Sequence, residues 1–191
     1  MINNIVLATS NPHKLEEISA MLKETDISFE MAPEGFDPIE DGKTFEDNSF
    51  IKAKCAALMT GKYALADDAG LCVDALDGKP GIYSARYAPT QKEKIEKLLS
   101  ELKNIPEEQR TAHFVCVMTL CSPDGSLVFQ TRGEVDGHIV GVPKGVNGFG
   151  YDPVFFIDNL GKTMAEMDMD EKNTLSHRAR ALLKMVNFLQ K

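Results

Sequence analysis

The sequence predicts an α/β domain with a mixed β-sheet flanked by helices, and two lobes with a cleft between them. Strand-like and helix-like segments alternate through the first part of the chain, as in α/β folds. Two β-rich runs then flank the turn at 123–126, which is typical of an antiparallel hairpin. No linker divides the sequence, so we expect residues 1–191 to form a single domain.

Each predicted element follows from a local pattern. Apolar residues at helical spacing indicate helices, polar caps and prolines indicate where helices begin, and short apolar runs indicate buried strands. In chain order the predicted elements are a strand at 5–8, a helix at about 12–24, a weaker strand at 27–31, a loop at 32–43, a helix at about 45–60 between Thr44 and Gly61, strands at 63–66 and 71–75, a helix at about 90–103, strands at 112–120, 127–135, 138–140 and 154–157, and a helix at about 174–190.

Composition excludes several classes of partner. The net charge of −8 argues against duplex nucleic acid and anionic membrane, because both require a basic surface. No apolar run is long enough to span a bilayer, and residues 1–5 lack the basic start of a signal peptide. None of the four cysteines lies in a CxxC pair or at zinc spacing, so we expect free thiols and a reducing cytoplasm.

The adjacent carboxylates of Asp67 and Asp68 are the most informative feature of the chain. They follow an apolar strand-like segment, so they repel each other and both lose water, and a cation would relieve this. Hard oxygen ligands of this kind suit Mg²⁺. The alternative is a solvated acidic turn. Either Glu40 or Asp41, in the loop before the second helix, could reach a metal held by Asp68.

Two segments have features that suit phosphate. Residues 9–14 join the first strand to the first helix, where the helix N-terminus, Asn11 and Lys14 favour an anion. Simple capping with a surface lysine is the alternative. Lys52 shares a helix face with Thr44 and Asn48, in a polar stripe that is either functional or solvent-facing.

Two later segments have features that suit a nucleobase. Glycines surround Phe149, which leaves its ring open for stacking, and Asp152 can accept a hydrogen bond from a base edge. A glycine-rich turn with one core aromatic is the alternative. His177 and Arg178 lie near the start of the last helix, where basic residues oppose the helix dipole. This conflict is a hint of function, although a lone histidine is more often structural.

Together these segments resemble the inosine/xanthosine triphosphate pyrophosphatase family. The matches run in order over nearly the whole chain, and this makes them far more specific than any single motif. They are Thr9-x-Asn11-x-x-Lys14, Thr44-Phe45-x-x-Asn48 with Lys52, Asp67-Asp68-x-Gly70-Leu71, Pro80-Gly81-x-x-Ser84-Ala85-Arg86-Tyr87, Gly148-Phe149-Gly150-Tyr151-Asp152-Pro153 and Ser176-His177-Arg178.

The resemblance implies a fold, a reaction and a setting. The implied fold is an elongated mixed sheet with two lobes around a central active-site cleft. The implied reaction is hydrolysis of ITP, dITP and XTP to the nucleoside monophosphate and pyrophosphate, by Mg²⁺-assisted attack of water on the α-phosphorus. A cytoplasmic homodimer is expected, which acts on a purine nucleoside triphosphate and binds neither nucleic acid nor membrane.

The resemblance also implies roles for individual residues. Metal ligands would be Glu40 and Asp68, and Asp68 would also activate water. The triphosphate would be held by Thr9, Ser10, Asn11, Pro12, His13 and Lys14, with Lys52 beside them. Phe149 would stack on the purine, the base pocket would be lined by Asp152, Lys172, His177 and Arg178, and further substrate contacts would come from Ala69, Gly150 and Tyr151.

One position departs from the family pattern. Ala69 stands where many members have serine, so a side-chain hydroxyl contact to the substrate is absent while a backbone N–H contact can remain. Two other functions stay open. One is a septum-formation-type nucleotide pyrophosphatase with other base preferences, and the other is a nucleotide sensor without catalysis. Asp67 and Asp68 argue against a sensor, because anionic groups near phosphate help binding only when a metal is present.

Overall fold

Eight strands and five α-helices make up the regular structure of residue 2 and residues 4–23 and 25–191, which the computed structural model describes. Short 3-10 helices connect several of them. The elements are β1 (Asn4–Leu7), α1 (Pro12–Leu22), β2 (Ser28–Met31), α2 (Phe45–Thr60), β3 (Ala64–Val73), β4 (Lys79–Pro80), α3 (Gln91–Glu101), β5 (Thr111–Cys121), β6 (Leu127–Ile139), β7 (Phe155–Ile157), β8 (Lys162–Thr163), α4 (Met169–Leu175) and α5 (His177–Leu189).

The strands form one mixed sheet, as predicted. Its order is β2-β1-β3-β5-β6-β7-β8, and β4 pairs with β3 outside this path. β1 is parallel to both β2 and β3, whereas β7 is antiparallel to both β6 and β8. The hairpin is also confirmed, since β5 and β6 are neighbours joined by a turn in which the Ser122 N–H donates to the Ser126 carbonyl at 2.9 Å.

The predicted interruption of the sheet at Asp67 and Asp68 is wrong. β3 runs without a break through both residues, and every residue of this strand except Ala69 is buried. The solvated-turn alternative is therefore wrong as well. The strand continues because each carboxylate finds cationic partners inside the fold, so neither has to turn towards water.

Caps decide where most helices begin and end. The Asn11 side chain caps α1, and the Thr44 hydroxyl caps α2 by accepting from the Asp47 N–H at 3.0 Å. Gly61 ends α2 with a left-handed φ of 65°, as predicted. The helix predicted at about 12–24 ends at Leu22, and its last predicted position, 24, lies outside the described residues.

The C-terminal helix prediction is wrong in one respect. The segment at about 174–190 contains the end of one helix and the whole of another, because Ser176 adopts an extended conformation between α4 and α5. Asp168 caps α4 by accepting from the Glu171 N–H at 2.8 Å. The separate strands predicted at 127–135 and 138–140 are one strand, β6, and β4 and β8 were not predicted.

Contacts divide the chain into two units, each with its own core. Unit 1 contains residues 1–69, 116–133 and 177–191, and apolar side chains of β1, α1, β5 and α5 pack in its core. Unit 2 contains residues 70–115 and 134–176, and its core gathers side chains of α3, β5, β6 and β7. The single domain and the cleft stay predictions.

Two expectations from composition can be compared with the structure. All four cysteines are free thiols, as predicted. Within the described part of the chain, no helix combines the length and the apolar character that a membrane crossing requires.

Gly133 of β6 lets the start of α5 approach the sheet closely. A Cβ atom there would lie 2.2 Å from the His177 carbonyl oxygen and 2.5 Å from the Ala181 nitrogen. We therefore expect Gly133→Ala to lower the free energy of unfolding by about 1–3 kcal/mol, measured by urea denaturation. Gly141→Ala is the control, because its Cβ would meet nothing closer than 3.4 Å. Equal stability of the two variants would contradict this prediction.

Candidate active site

Asp67 is the centre of a buried ion-pair network in unit 1. Its Oδ2 accepts from the Lys14 ammonium at 3.0 Å and from the Arg178 guanidinium at 3.3 and 3.4 Å. Arg178 is only 1% exposed, and its Nη1 also donates to Glu17 of α1. The Cys116 thiol approaches the same Oδ2 at 3.8 Å. One carboxylate thus ties α1, β3, β5 and the first turn of α5 together.

Asp68 belongs to a second group of charges. Its Oδ1 accepts from the Lys52 ammonium at 3.1 Å, and the same ammonium donates to Glu40 Oε2 at 3.1 Å. Lys52 is buried on α2, and Glu40 lies in the loop before that helix. Asp41 is exposed, and of the two candidate ligands it is Glu40 that shares the Lys52 ammonium with Asp68.

The alternating direction of side chains along β3 separates the Asp67 network from the charges around Asp68. Successive side chains of a strand point to opposite faces, so Asp67 and Asp68 can meet different cations although they are neighbours in sequence. Four carboxylates (Glu17, Glu40, Asp67 and Asp68) face three cations (Lys14, Lys52 and Arg178) in these contacts. The cluster therefore carries one more negative charge than positive charge.

Burial and charge oppose each other in the pKa values of this cluster. Burial alone would raise the pKa of the Asp67 carboxyl, but Lys14, Arg178 and Lys52 outweigh it and hold that pKa far below its usual range. Burial is the stronger influence at Asp68, whose pKa lies above its usual value despite Lys52. Burial also tends to lower the pKa of Lys52, but Asp68, Asp67 and Glu40 raise it on balance.

Two carboxylates of this cluster suit a hard divalent cation. Glu40 Oε2 and Asp68 Oδ1 converge on one point, the Lys52 nitrogen. Asp68 Oδ2 is buried and has no hydrogen-bond partner among the described residues. Among those residues, no group of three or more His, Cys, Asp or Glu side chains could hold a metal ion. A hard divalent cation can be held by one or two protein carboxylates, with further oxygens from water.

Residues 9–14 form the predicted turn before α1. Asn11 Oδ1 accepts from the N–H groups of His13 and Lys14 at 3.0 and 3.4 Å, and Thr9 Oγ1 accepts from the Asn11 N–H at 3.2 Å. The first-turn N–H groups expected to meet phosphate are therefore engaged by Asn11. Ser10, Pro12 and His13 are exposed. The Lys14 ammonium is directed at Asp67.

Unit 2 contains the segment predicted to meet a nucleobase. Asp152 Oδ2 accepts from the Phe149 N–H at 2.9 Å and from the Lys172 ammonium at 2.7 Å, and both charged side chains are buried. The Lys172 ammonium lies 4.8 Å from the centroid of the half-buried Phe149 ring. Gly148 is required here, because a Cβ would lie 2.1 Å from Asp152 Oδ2.

Four further residues that were predicted to contact the substrate lie in different parts of the structure. Tyr151 is buried in the core of unit 2, where its hydroxyl donates to the Ser84 carbonyl at 3.0 Å. Gly150 is partly exposed with a left-handed φ of 65°. Ala69 lies in β3 and is partly buried, and His177 is buried at the start of α5. Their contacts with substrate stay predictions.

Two members of the Asp67 network were missed in the sequence. Glu17 lies on α1, one position before the apolar Ile18, and nothing in the helical pattern distinguishes it from a solvated glutamate. Cys116 is one residue of an uninterrupted apolar run in β5. The position of a basic residue at the start of α5 is explained by two buried carboxylates that hold Arg178, and its functional role stays a prediction.

Comparisons with known proteins agree over nearly the whole chain. The model of the Ham1 family matches residues 5–188. The dITP/XTP pyrophosphatase of Geobacter sulfurreducens is 50% identical over 187 residues, which are 95% of this chain and 94% of that protein. A HAM1 protein from Coxiella burnetii superposes with a TM-score of 0.89 at 40% identity, and the Ham1 protein of Staphylococcus aureus with 0.87 at 40% identity, each over 98% of both chains.

Arg178 neutralises two buried carboxylates, so its loss should be costly. We expect Arg178→Met to lower the free energy of unfolding by about 3–5 kcal/mol, because Glu17 and Asp67 would stay buried with less compensation. Lys62→Met is the matched control, since its pair with Glu30 is about half exposed on both sides and should contribute less than about 1 kcal/mol. Urea denaturation measures both, and equal midpoints would contradict the role given to Arg178.

Proposed function

The chain belongs to the Ham1 family, and we propose that it is a nucleoside-triphosphate pyrophosphatase acting on ITP, dITP and XTP. The resemblance found in its motifs is thereby confirmed, and curated relatives that are 50% and 44% identical to this chain bear the name dITP/XTP pyrophosphatase. The proposed products are the nucleoside monophosphate and pyrophosphate. A sensor without catalysis is not favoured, because these relatives are named as enzymes.

The group formed by buried Asp68 and Lys52 with the partly exposed Glu40 is the observation that supports catalysis most directly. The Lys52 ammonium lies 3.1 Å from Glu40 Oε2 and 3.1 Å from Asp68 Oδ1. Asp68 directly follows Asp67 in β3, so this group adjoins the Asp67 network. Such a density of buried charge is expensive to maintain for stability alone. It is typical of sites that stabilise developing charge.

Glu40 and Asp68 are the residues that we propose to hold Mg²⁺. The bound ion would supply a Lewis acid for the phosphate oxygens and offset charge on the departing pyrophosphate. Asp68 is also the proposed group that orients or deprotonates the attacking water, through the Oδ2 that has no partner among the described residues. Lys52 holds the other oxygen of Asp68 at 3.1 Å and so fixes the direction of this carboxylate.

The lysines near the carboxylates are proposed to bind phosphate oxygens. Lys14 and Lys52 stabilise charge that develops during cleavage of the bond to the α-phosphorus. The turn formed by Thr9, Ser10, Asn11, Pro12 and His13 is proposed to position the same phosphate chain at the start of α1, where the helix dipole favours an anion although Asn11 engages the His13 and Lys14 N–H groups. Ala69 is proposed to contribute its backbone N–H.

Recognition of the base is proposed for the Phe149 segment and its partners. Phe149 stacks on the purine, with Gly150 and Tyr151 beside it, and Asp152 and Lys172 contact the base edge. The contacts proposed for His177 and Arg178 would have to compete with the Glu17 and Asp67 carboxylates that already hold Arg178. Donors at the edge pair with O6 of hypoxanthine or xanthine but would face the amino group of adenine. A buried donor left unpaired costs about 1–3 kcal/mol, so two such contacts would give discrimination of roughly 100-fold or more.

The setting of the enzyme is also part of the proposal. We propose a cytoplasmic homodimer that needs no nucleic acid or membrane. The four free thiols suit a reducing compartment. The net charge of −8 disfavours polyanionic partners other than small nucleotides.

The decisive experiment is a panel of nucleoside triphosphates with the products quantified. With Mg²⁺ we expect rapid hydrolysis of ITP, dITP and XTP to pyrophosphate and weak hydrolysis of ATP and GTP. For ATP we expect kcat/KM to be at least about 100-fold lower, because the 6-amino group of adenine would face the donors that pair with O6. Addition of EDTA should abolish turnover. Release of orthophosphate in place of pyrophosphate would show that the proposal is wrong.

Asp68→Asn is the matched control for that panel. It preserves the size of the side chain but removes the charge that holds the cation and accepts the proton, so we expect kcat to fall by about 100-fold or more. Circular dichroism should show an unchanged fold. A variant with a nearly normal rate would remove Asp68 from the mechanism.

Phe149→Ala tests base stacking. Loss of one stacked aromatic costs about 1–3 kcal/mol of binding, so we expect KM for ITP to rise at least about tenfold while kcat changes little. Steady-state kinetics with ITP and ATP measure the effect, and Phe129→Leu is the control because that ring stacks on Phe188 at 4.3 Å inside unit 1. Unchanged KM and unchanged base preference in Phe149→Ala would refute stacking.

A further inference from the structure

Asn48 is a completely buried amide that the proposed mechanism does not use. It lies in the first turn of α2, four residues before Lys52, and its relative exposure is 0%. Residues four apart share a helix face, so Asn48 and Lys52 lie on the same side of α2. The family motif contains this asparagine, yet none of the roles derived above belongs to it.

The Asn48 side chain anchors the loop that carries Glu40. Asn48 Oδ1 accepts from the Gly42 N–H at 2.9 Å. The fit is close, because a Cβ on Gly42 would lie 2.6 Å from this oxygen. The next N–H of the loop, that of Lys43, donates to Asp47 Oδ2 at 3.1 Å. The first turn of α2 thus binds the loop backbone two and three residues after Glu40.

The other end of the amide points to more than a structural role. Asn48 Nδ2 is buried and has no hydrogen-bond partner among the described residues. An asparagine that serves only the fold would have both ends of its amide bonded, because an unpaired buried donor costs stability. Asp68 Oδ2 is a second buried polar atom without a described partner, and both residues are neighbours of Lys52.

We propose that Asn48 is a positioning residue for the Glu40 carboxylate. It acts through the Gly42 N–H, which fixes the loop so that Glu40 reaches Lys52 and the cation site. The inference rests on the proposed function only in taking Glu40 as a cation ligand. Residues that orient a ligand in this way commonly change metal affinity by about 10–100-fold when they are removed.

The test measures cation binding without turnover. Mn²⁺ is titrated into the enzyme with the non-hydrolysable α,β-methylene analogue of ITP, and free Mn²⁺ is measured by electron paramagnetic resonance. We expect Asn48→Ala and Glu40→Gln each to raise the dissociation constant of Mn²⁺ about tenfold or more. The double variant should bind no more weakly than Glu40→Gln alone, because both changes remove the same interaction.

Ser49→Ala is the matched control. Ser49 is the next residue of α2, is equally buried, and bonds to Thr119 Oγ1 at 2.6 Å on another face. We expect it to bind Mn²⁺ as the wild type does. Gly42→Ala perturbs the same contact from the loop side and should reproduce Asn48→Ala, so the test holds even if Asn48→Ala does not fold.

The outcomes separate this inference from the proposed function. Failure of the wild type to release pyrophosphate from ITP would overturn the function. With a functional wild type, Mn²⁺ binding by Asn48→Ala equal to that of Ser49→Ala would overturn the positioning role. Effects of Asn48→Ala and Glu40→Gln that multiply in the double variant would overturn it too, because Asn48 would then act independently of Glu40.

Discussion

The burial of two adjacent carboxylates in the middle of β3 is the constraint on which the rest of unit 1 depends. Asp67 and Asp68 are 3% and 7% exposed, so neither is solvated well enough to carry its charge alone. Because the strand directs them to opposite faces, each requires its own cations. Asp67 takes Lys14 and Arg178, and Asp68 takes Lys52. Three helices therefore have to place a basic residue against one strand.

This constraint explains features that are otherwise unrelated. α1 begins at Pro12 with Lys14 in its first turn, and α5 begins at His177 with Arg178 in its first turn. Both helix starts contain a basic residue where the helix dipole disfavours one. The electrostatic gain at Asp67 outweighs this, since its carboxylate is fully buried. Gly133 completes the arrangement by admitting the start of α5 within van der Waals contact of β6.

Much of the fold was predictable because it depends on local signals. The caps at Asn11, Thr44 and Gly61 set helix boundaries through backbone chemistry that the sequence shows directly. The continuity of β3 was not predictable, because it depends on charge pairs between residues that are far apart in the sequence, such as Asp67 and Arg178. The motif residues of the candidate site were found in the sequence, but their pairing was not. In particular, nothing local indicates that Asp152 and Lys172 bond to each other, or that Glu17 is buried against Arg178.

The charge of the cluster also bears on how a cation and a nucleotide would bind. With four carboxylates against three cations, the described cluster is slightly anionic, and a triphosphate is strongly anionic. The two repel each other unless a cation lies between them. The proposed ligands Glu40 and Asp68 would by themselves supply too few oxygens to hold Mg²⁺ tightly, and phosphate could supply more. Cation and nucleotide would therefore stabilise each other at the proposed site, and the protein would need only to hold its few ligands in the correct direction.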